Sequence, residues 1–298
     1  MHILEILETG EKLEFPGKVA ELNSAQYEAF CKLFVMHQDG TLNQDQFIVE
    51  LVYLTLEIPK QKKLKHSMNE EYQLLQNVAA LSETLLSFWQ VVERDDKQIL
   101  AIDWYHEDQK LPIIKWKELE LHGPKALGED LTYGEYVNAH EAFKMYLQNP
   151  LPVLLDKLVA TLWRPLQPAG FFLHPKRMSL QDVDMEMHLK EVTDLPYHLK
   201  YASFIWWSCF EEFIPSAVLP TDAGEVSISK LFEKSPEHKG EPSLTGVRGV
   251  LYELAESHVF GTTKEVEGEY FWHVMLRLYQ LREQAEEKRR HMERMKHA

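Results

Sequence analysis

Carboxylates two residues apart can share a divalent cation, and Asp182-Val183-Asp184, with Glu186 and His188 close behind, is the stretch of this chain that looks most like such a site. A pair of this kind becomes a metal centre when it sits at a strand end beside a phosphate pocket. No Gly-rich phosphate loop precedes it, so the stretch reads as a solvated acidic face. His188 and His198 are ten residues apart, and no HExxH motif or His/Cys set at zinc spacing accompanies them. The GxSxG elbow, the GxGxxG turn and the GxxxxGK[ST] loop are all missing from the sequence, which removes the usual support for a hydrolase, a dehydrogenase or an NTPase. Cys31 and Cys209 lie among apolar residues, where desolvation makes a thiol inert. The residue chemistry therefore predicts no catalytic residue, no cofactor and no metal ligand.

The chain is organised around residues 127–165. Thr132-Tyr133-Gly134-Glu135 is an [ST]-x-x-[DE] start signal, in which the threonine oxygen and the glutamate satisfy each other's free amides. The helix it opens has Tyr136, Phe143, Met145, Tyr146 and Leu147 as its apolar side and stops at Pro150-Leu151-Pro152. A second helix runs from Pro152 to Trp163, with only Asp156 and Lys157 charged, and ends at Arg164-Pro165. Nearly its whole circumference needs cover, which makes it the expected hub of the core. An ion pair between Glu135 and Arg164 is expected to lock the hinge.

The periodicity elsewhere predicts a mainly α fold, a helical bundle-like core with two short β-hairpins in the N-terminal third. The first hairpin joins His2–Leu7 to Leu13–Phe15, and helices follow from Ser24 and from Asn43. A long helix opens at the capping box Ser67-Met68-Asn69-Glu70 and continues through Phe88 to Val92, and Ile99–Trp104 pairs with Leu111–Trp116 as the second hairpin. Lys60 to Lys65 is a solvated linker. Gly123-Pro124 to Gly128 is the expected boundary between a mixed α+β region (1–123) and a helical domain (124–298). In the helical domain, Leu166 to Lys176 is a loop with Phe171-Phe172 tucked beneath it. Residues 178–189 alternate as a strand would and also fit a short helix capped at Ser179, the reading that the flanking helices favour, and an apolar helix leads from Leu195-Pro196 to Phe213. A mobile loop covers about 221–243 with a short helix at Ile228 to Phe232, and a helix spans Gly246 to His258. One last helix from Val266 projects beyond Arg282.

The net charge of −15 repels phosphate backbones and anionic lipid surfaces, so neither nucleic acid nor membrane is the expected partner. The mixed charges after Arg282 read as a solvated helix end. The apolar run Ala202–Phe210 is about half the roughly 20 residues that a membrane span requires. With two distant cysteines and no leader pattern, the expected setting is the cytoplasm. Trp206-Trp207 with Phe210 and Phe213 reads first as core, and otherwise as a cofactor slot or, if exposed, as a docking stripe for a partner helix.

Leu131-Thr132-Tyr133-Gly134-Glu135-Tyr136, followed by Leu158-Val159-Ala160-Thr161-Leu162-Trp163-Arg164-Pro165, resembles the "LT-aromatic-GE-aromatic … L-x-A-x-L-aromatic-RP" arrangement of phage tail-assembly-chaperone-like proteins from phages and prophages of Bacteroidota. Leu195-Pro196 and the aromatic helix to Phe213 extend the resemblance, which covers roughly residues 127–215. Trp206-Trp207 stands where phenylalanines would be expected. The resemblance implies a non-enzymatic protein of the host cytoplasm that binds a helical client such as a tape-measure protein. Tyr133, Gly134, Glu135, Trp163 and Arg164 are then family-signature positions, and Trp206 and Trp207 partner-surface candidates. A generic cytoplasmic interaction scaffold and a metal-dependent enzyme using Asp182, Asp184 and His188 stay open, as does a homo-oligomer.

Overall fold

A computed structural model describes residues 1–6, 10–57, 68–167, 176–222, 224–232, 246–256 and 260–297. The lysine cluster at 60–65, the cap at Ser67, Phe171-Phe172, loop residues 233–245 and the helix end at His258 lie outside the described residues. What is described is mainly α: ten α-helices and four two-stranded antiparallel sheets. None of the described helices is long and apolar enough to cross a membrane. The chain divides into two compact units, Met1–Leu111 with Leu195–Trp206, and Pro112–Asp194 with Trp207–Ala298.

In the first unit, β1 (His2–Ile6) pairs with β2 (Glu11–Phe15), as the alternating pattern predicts. Helices α1 (Ser24–Gln38) and α2 (Gln44–Thr55) each start from a full capping box, Asn23 with Gln26 and Asn43 with Gln46. Each asparagine oxygen accepts an amide from the first turn, and each glutamine returns the favour. Their buried stripes, Tyr27, Phe30 and Cys31 on α1 and Phe47 and Leu51 on α2, meet Phe88 in an aromatic core. Burial pushes the Cys31 thiol far above its ordinary range, so it is packing and not a nucleophile.

The long helix expected through Val92 is shorter. Helix α3 (Met68–Thr84) runs into a 3₁₀ turn at Leu85–Phe88, and the chain then enters β3 (Trp89–Arg94). Its partner is β4 (Lys97–Ile102), with Trp89 opposite Ile102 and Val91 opposite Leu100. Asp95 and Asp96 both sit at positive φ, 52° and 58°, the conformation of the tight two-residue hairpin turn. The β-branched Val91-Val92 suits a pleat better than a helix, and a two-residue closure leaves Ile99–Ile102 no call for a distant partner. The pairing expected between Ile99–Trp104 and Leu111–Trp116 is therefore replaced by two hairpins, β3–β4 and β5 (Ile113–Trp116) with β6 (Leu119–His122).

In the second unit, α4 (Tyr133–Gln148) begins at the Thr132/Glu135 capping box and α5 (Pro152–Leu162) begins with its proline in the first turn, both as expected. Leu154, Leu155, Leu158, Val159 and Leu162 are buried, so α5 is enclosed over most of its circumference. Met145 and Leu147, expected on the buried side of α4, are exposed. Helix α6 (Met185–Thr193) starts later than expected and is capped by Asp184 instead of Ser179, because the Asp184 carboxylate accepts the amides of Glu186 and Met187 at 3.1 Å each. Helix α7 (Tyr197–Phe213) follows Pro196, its residues up to Trp206 belonging to the first unit and those from Trp207 to the second.

The mobile loop expected from 221 contains a fourth hairpin, β7 (Val218–Thr221) with β8 (Gly224–Ser227), followed by the short 3₁₀ helix Ile228–Phe232. After α8 (Gly246–Glu256), the single last helix divides into α9 (Thr263–Gly268) and α10 (Phe271–His297). The break has a long-range cause. Tyr133 donates its amide to the Glu269 carbonyl and Phe271 donates to Leu131, both at 2.8 Å, so an isolated antiparallel bridge between Thr132 and Tyr270 ties residues 269–271 to the start of α4.

Aspartate tolerates the left-handed region at a cost that glycine avoids. Replacing Asp95 by Asn and Asp96 by Gly should stabilise the first unit by about 1 kcal/mol. Urea unfolding followed by tryptophan fluorescence is the measurement, and a rise in midpoint is the expected outcome.

Candidate functional site

Of the seven sequence candidates, five converge at the start of α4 and the end of α5. The Glu135 side chain faces inward from the first turn of α4, where one carboxylate oxygen accepts the Thr132 amide at 3.2 Å to complete the capping box. The other oxygen is bonded by the Arg164 guanidinium, with both side chains almost fully buried. The expected hinge ion pair is thus present, but in the interior instead of at the surface.

A third member gave no local signal. Arg177 reaches the same carboxylate at 3.3 Å, Asp130 at 3.3 Å and the Leu162 carbonyl at 2.9 Å. Two guanidiniums and two carboxylates make the cluster neutral, which is how a low-dielectric interior accommodates ions. Burial nevertheless lowers the Arg164 pKa from the ordinary arginine range, opposed by the neighbouring Glu135 charge. Among the described residues, Nε and Nη1 of Arg164 find no acceptor.

The backbone here is held as firmly as the side chains. His122 on β6 and Arg164 exchange both backbone hydrogen bonds, at 2.8 and 3.1 Å. Two residues on, Gln167 donates to Lys176 and Met178 donates to Pro165, bridging Leu166 to Arg177. Trp163 is fully buried, and Gly123 lies so close to its indole that an added Cβ would come within 2.5 Å of Nε1. Gly134 has a similar reason: a Cβ there would lie 3.0 Å from the Glu267 backbone oxygen, so glycine lets α9 approach α4. Tyr133 is buried with its ring 6.1 Å from that of Tyr136.

Trp206 and Trp207 are buried too, at 1% and 0% exposure, and Trp207 packs its ring against Phe210 and Tyr136. All seven candidates are interior, so the docking-stripe reading of the tryptophan pair gives way to the core reading. Asp182 and Asp184 do not converge on a common point: Ser179 donates to Asp182 at 2.6 Å, and Asp184 is the cap of α6. His188 is buried and bonds the Trp163 carbonyl through Nε2 at 2.9 Å, which makes it a positioning group for α6. Among the described residues no group of three or more His, Cys, Asp or Glu side chains could hold a metal ion.

What the second unit does offer is an open groove of about 460 Å³. Its lining comprises Asn138, Glu141, Ala142 and Met145 on α4, Leu154, Lys157 and Thr161 on α5, Leu180, and Met185 and Leu189 on α6. At the elbow between α4 and α5, Met145, Leu147, Leu151 and Val153 are 54%, 56%, 47% and 47% exposed. The α4 members of this set, Met145 and Leu147, belong to the apolar side that the sequence predicts to be buried, and an apolar pattern does not say which flank of a helix stays uncovered.

Removing one partner of a buried pair strands the other, at a cost of roughly 3–5 kcal/mol, whereas replacing a buried ionic cluster with apolar groups of similar volume is often neutral. Arg164→Met should therefore destabilise the chain by about 3–5 kcal/mol in denaturant unfolding. Glu135→Leu combined with Arg164→Met and Arg177→Met should recover most of that loss.

Comparison of the chain with protein-family models, with curated proteins and with solved structures finds no match.

Proposed function

We propose that this chain is a non-enzymatic, chaperone-like assembly protein of a phage-type tail, binding a helical client such as a tape-measure protein in the host cytoplasm. The observation that carries the reading is the elbow: four large apolar side chains stand about half exposed where α4 meets α5. Exposed apolar side chains held together on a fixed frame mark protein-interaction surfaces. Methionine at such a surface adapts to varied client side chains, as a chaperone needs. The net charge of −15 keeps copies bearing such a surface from associating with one another. The client's identity rests on the resemblance of residues 131–136 and 158–165 to the tail-assembly-chaperone pattern.

The test is co-expression with the tape-measure protein encoded by the same phage-type locus. The reading expects a soluble complex on size-exclusion chromatography and suppression of client light scattering. It also expects Leu147→Asp with Leu151→Asp, both at exposed positions, to weaken that suppression about tenfold. Equal client aggregation with and without this chain would overturn it.

A further inference from the structure

We propose that the groove bounded by α4, α5 and α6 is the seat of one amphipathic client helix whose polar flank carries carboxylates. This rests on the protein-binding reading above and adds the location, the shape and the charge of what is bound.

Shape comes first. On α4 the lining residues Asn138, Glu141, Ala142 and Met145 follow the i, i+3, i+4, i+7 spacing of one helical stripe, and Leu154, Lys157 and Thr161 form a second on α5. None of the lining residues lies in a strand, so the groove offers no backbone edge to an extended peptide. Its ridges instead match a third helix, and the small side chain of Ala142 permits the axial approach of about 8–10 Å at which helices pack. Met145, Met185 and Leu189 supply apolar walls that can repack around the occupant.

Charge sets the partner. The Glu141 carboxylate at the rim is already held by Arg248 through two bonds of 2.7 Å, and Glu186 is paired with Lys190 at 2.9 Å. The Asp184 carboxylate caps α6 and keeps its charge, but it is not among the residues that line the groove. Lys157 lines the groove and Lys144 precedes the wall residue Met145. Both are exposed, and among the described residues neither ammonium has a carboxylate within ion-pair distance. Of the two ionisable side chains that line the groove, Glu141 is paired and Lys157 is not, so the unpaired charge on the lining itself is positive. A helix with carboxylates beside its apolar stripe complements it, and a basic helix is repelled. A second copy of this chain fits poorly by the same rule, since the exposed end of α10 brings Lys288, Arg289, Arg290 and Arg294 alongside Met292.

The experiment uses the full chain and two fluorescein-labelled peptides of about 20 residues, sharing a Leu/Met stripe at helical spacing and differing only in Glu or Lys along the polar flanks. Fluorescence anisotropy should show the Glu peptide binding at least tenfold tighter than the Lys peptide, with the preference shrinking as salt rises. Lys144→Glu with Lys157→Glu should reverse the preference. Met145→Asp, at an exposed position that tolerates the change, should weaken the Glu peptide about tenfold while circular dichroism stays unchanged. Equal binding of the two peptides, indifference to Met145→Asp, or displacement of the Glu peptide by a 282–297 peptide of this chain would each overturn the proposal. If a tape-measure client binds but ignores Met145→Asp and the lysine reversals, the groove assignment fails while the assembly role stands. If the Glu peptide behaves as expected and no such client binds, the assembly role fails and the groove stands.

Discussion

A carboxylate shared by two guanidiniums, out of reach of water, is the constraint on which the second unit depends. Glu135 belongs to the first turn of α4, Arg164 to the exit of α5, and Arg177 to the segment that returns beside it. Ionic groups removed from water are costly, and the cost is offset only when geometry and further hydrogen bonds are nearly complete. Thr132 supplies such a bond to Glu135, and Leu162 and Asp130 accept from Arg177, although Nε and Nη1 of Arg164 have no acceptor among the described residues; the paired backbone of His122 and Arg164 ties β6 to the exit of α5. The angle of the elbow follows from where these charges must meet, and so does the outward face of Met145, Leu147, Leu151 and Val153.

Signals local in sequence were legible. Thr132 with Glu135 announces α4, Pro152 announces α5, Asn43 announces α2, and each acts within a turn through hydrogen bonds that need no distant partner. Sequence and structure differ where a distant strand or a tight turn decides the outcome. The segment from Trp89 carries a helix-compatible pattern yet pairs with Ile102, and Asp95-Asp96 is a turn signal that a search for glycine or asparagine overlooks. The break between α9 and α10 depends on the backbone of Leu131 and Tyr133, more than a hundred residues upstream. Arg177 follows Lys176 in an ordinary basic pair after Pro175, and nothing in its neighbours marks it as the third member of a buried cluster.

The candidate site divides in the same way. Tyr133, Gly134, Glu135, Trp163 and Arg164 are distinctive as a pattern, and in the fold they are the frame: a cap, a close helix approach, an indole under Gly123 and an ion pair. The groove and elbow beside them are built from ordinary residues, methionine, leucine and lysine, which stand out only because they are left uncovered or unpaired. Asp182 and Asp184 illustrate the converse, since a conspicuous acidic pattern is consumed by local hydrogen bonds. Residues notable in a sequence are often those that hold a structure, while a binding face is recognised by what the packing omits.

Native-state hydrogen exchange of the wild-type chain, read at the amides of His122, Tyr133 and Arg164, tests the central claim most directly. If the Glu135 cluster locks these segments into one body, the three amides exchange together, in the slowest class, with the same denaturant dependence as global unfolding of the second unit. Independent, denaturant-insensitive opening of the three, while the interior of α5 stays protected, would contradict the account.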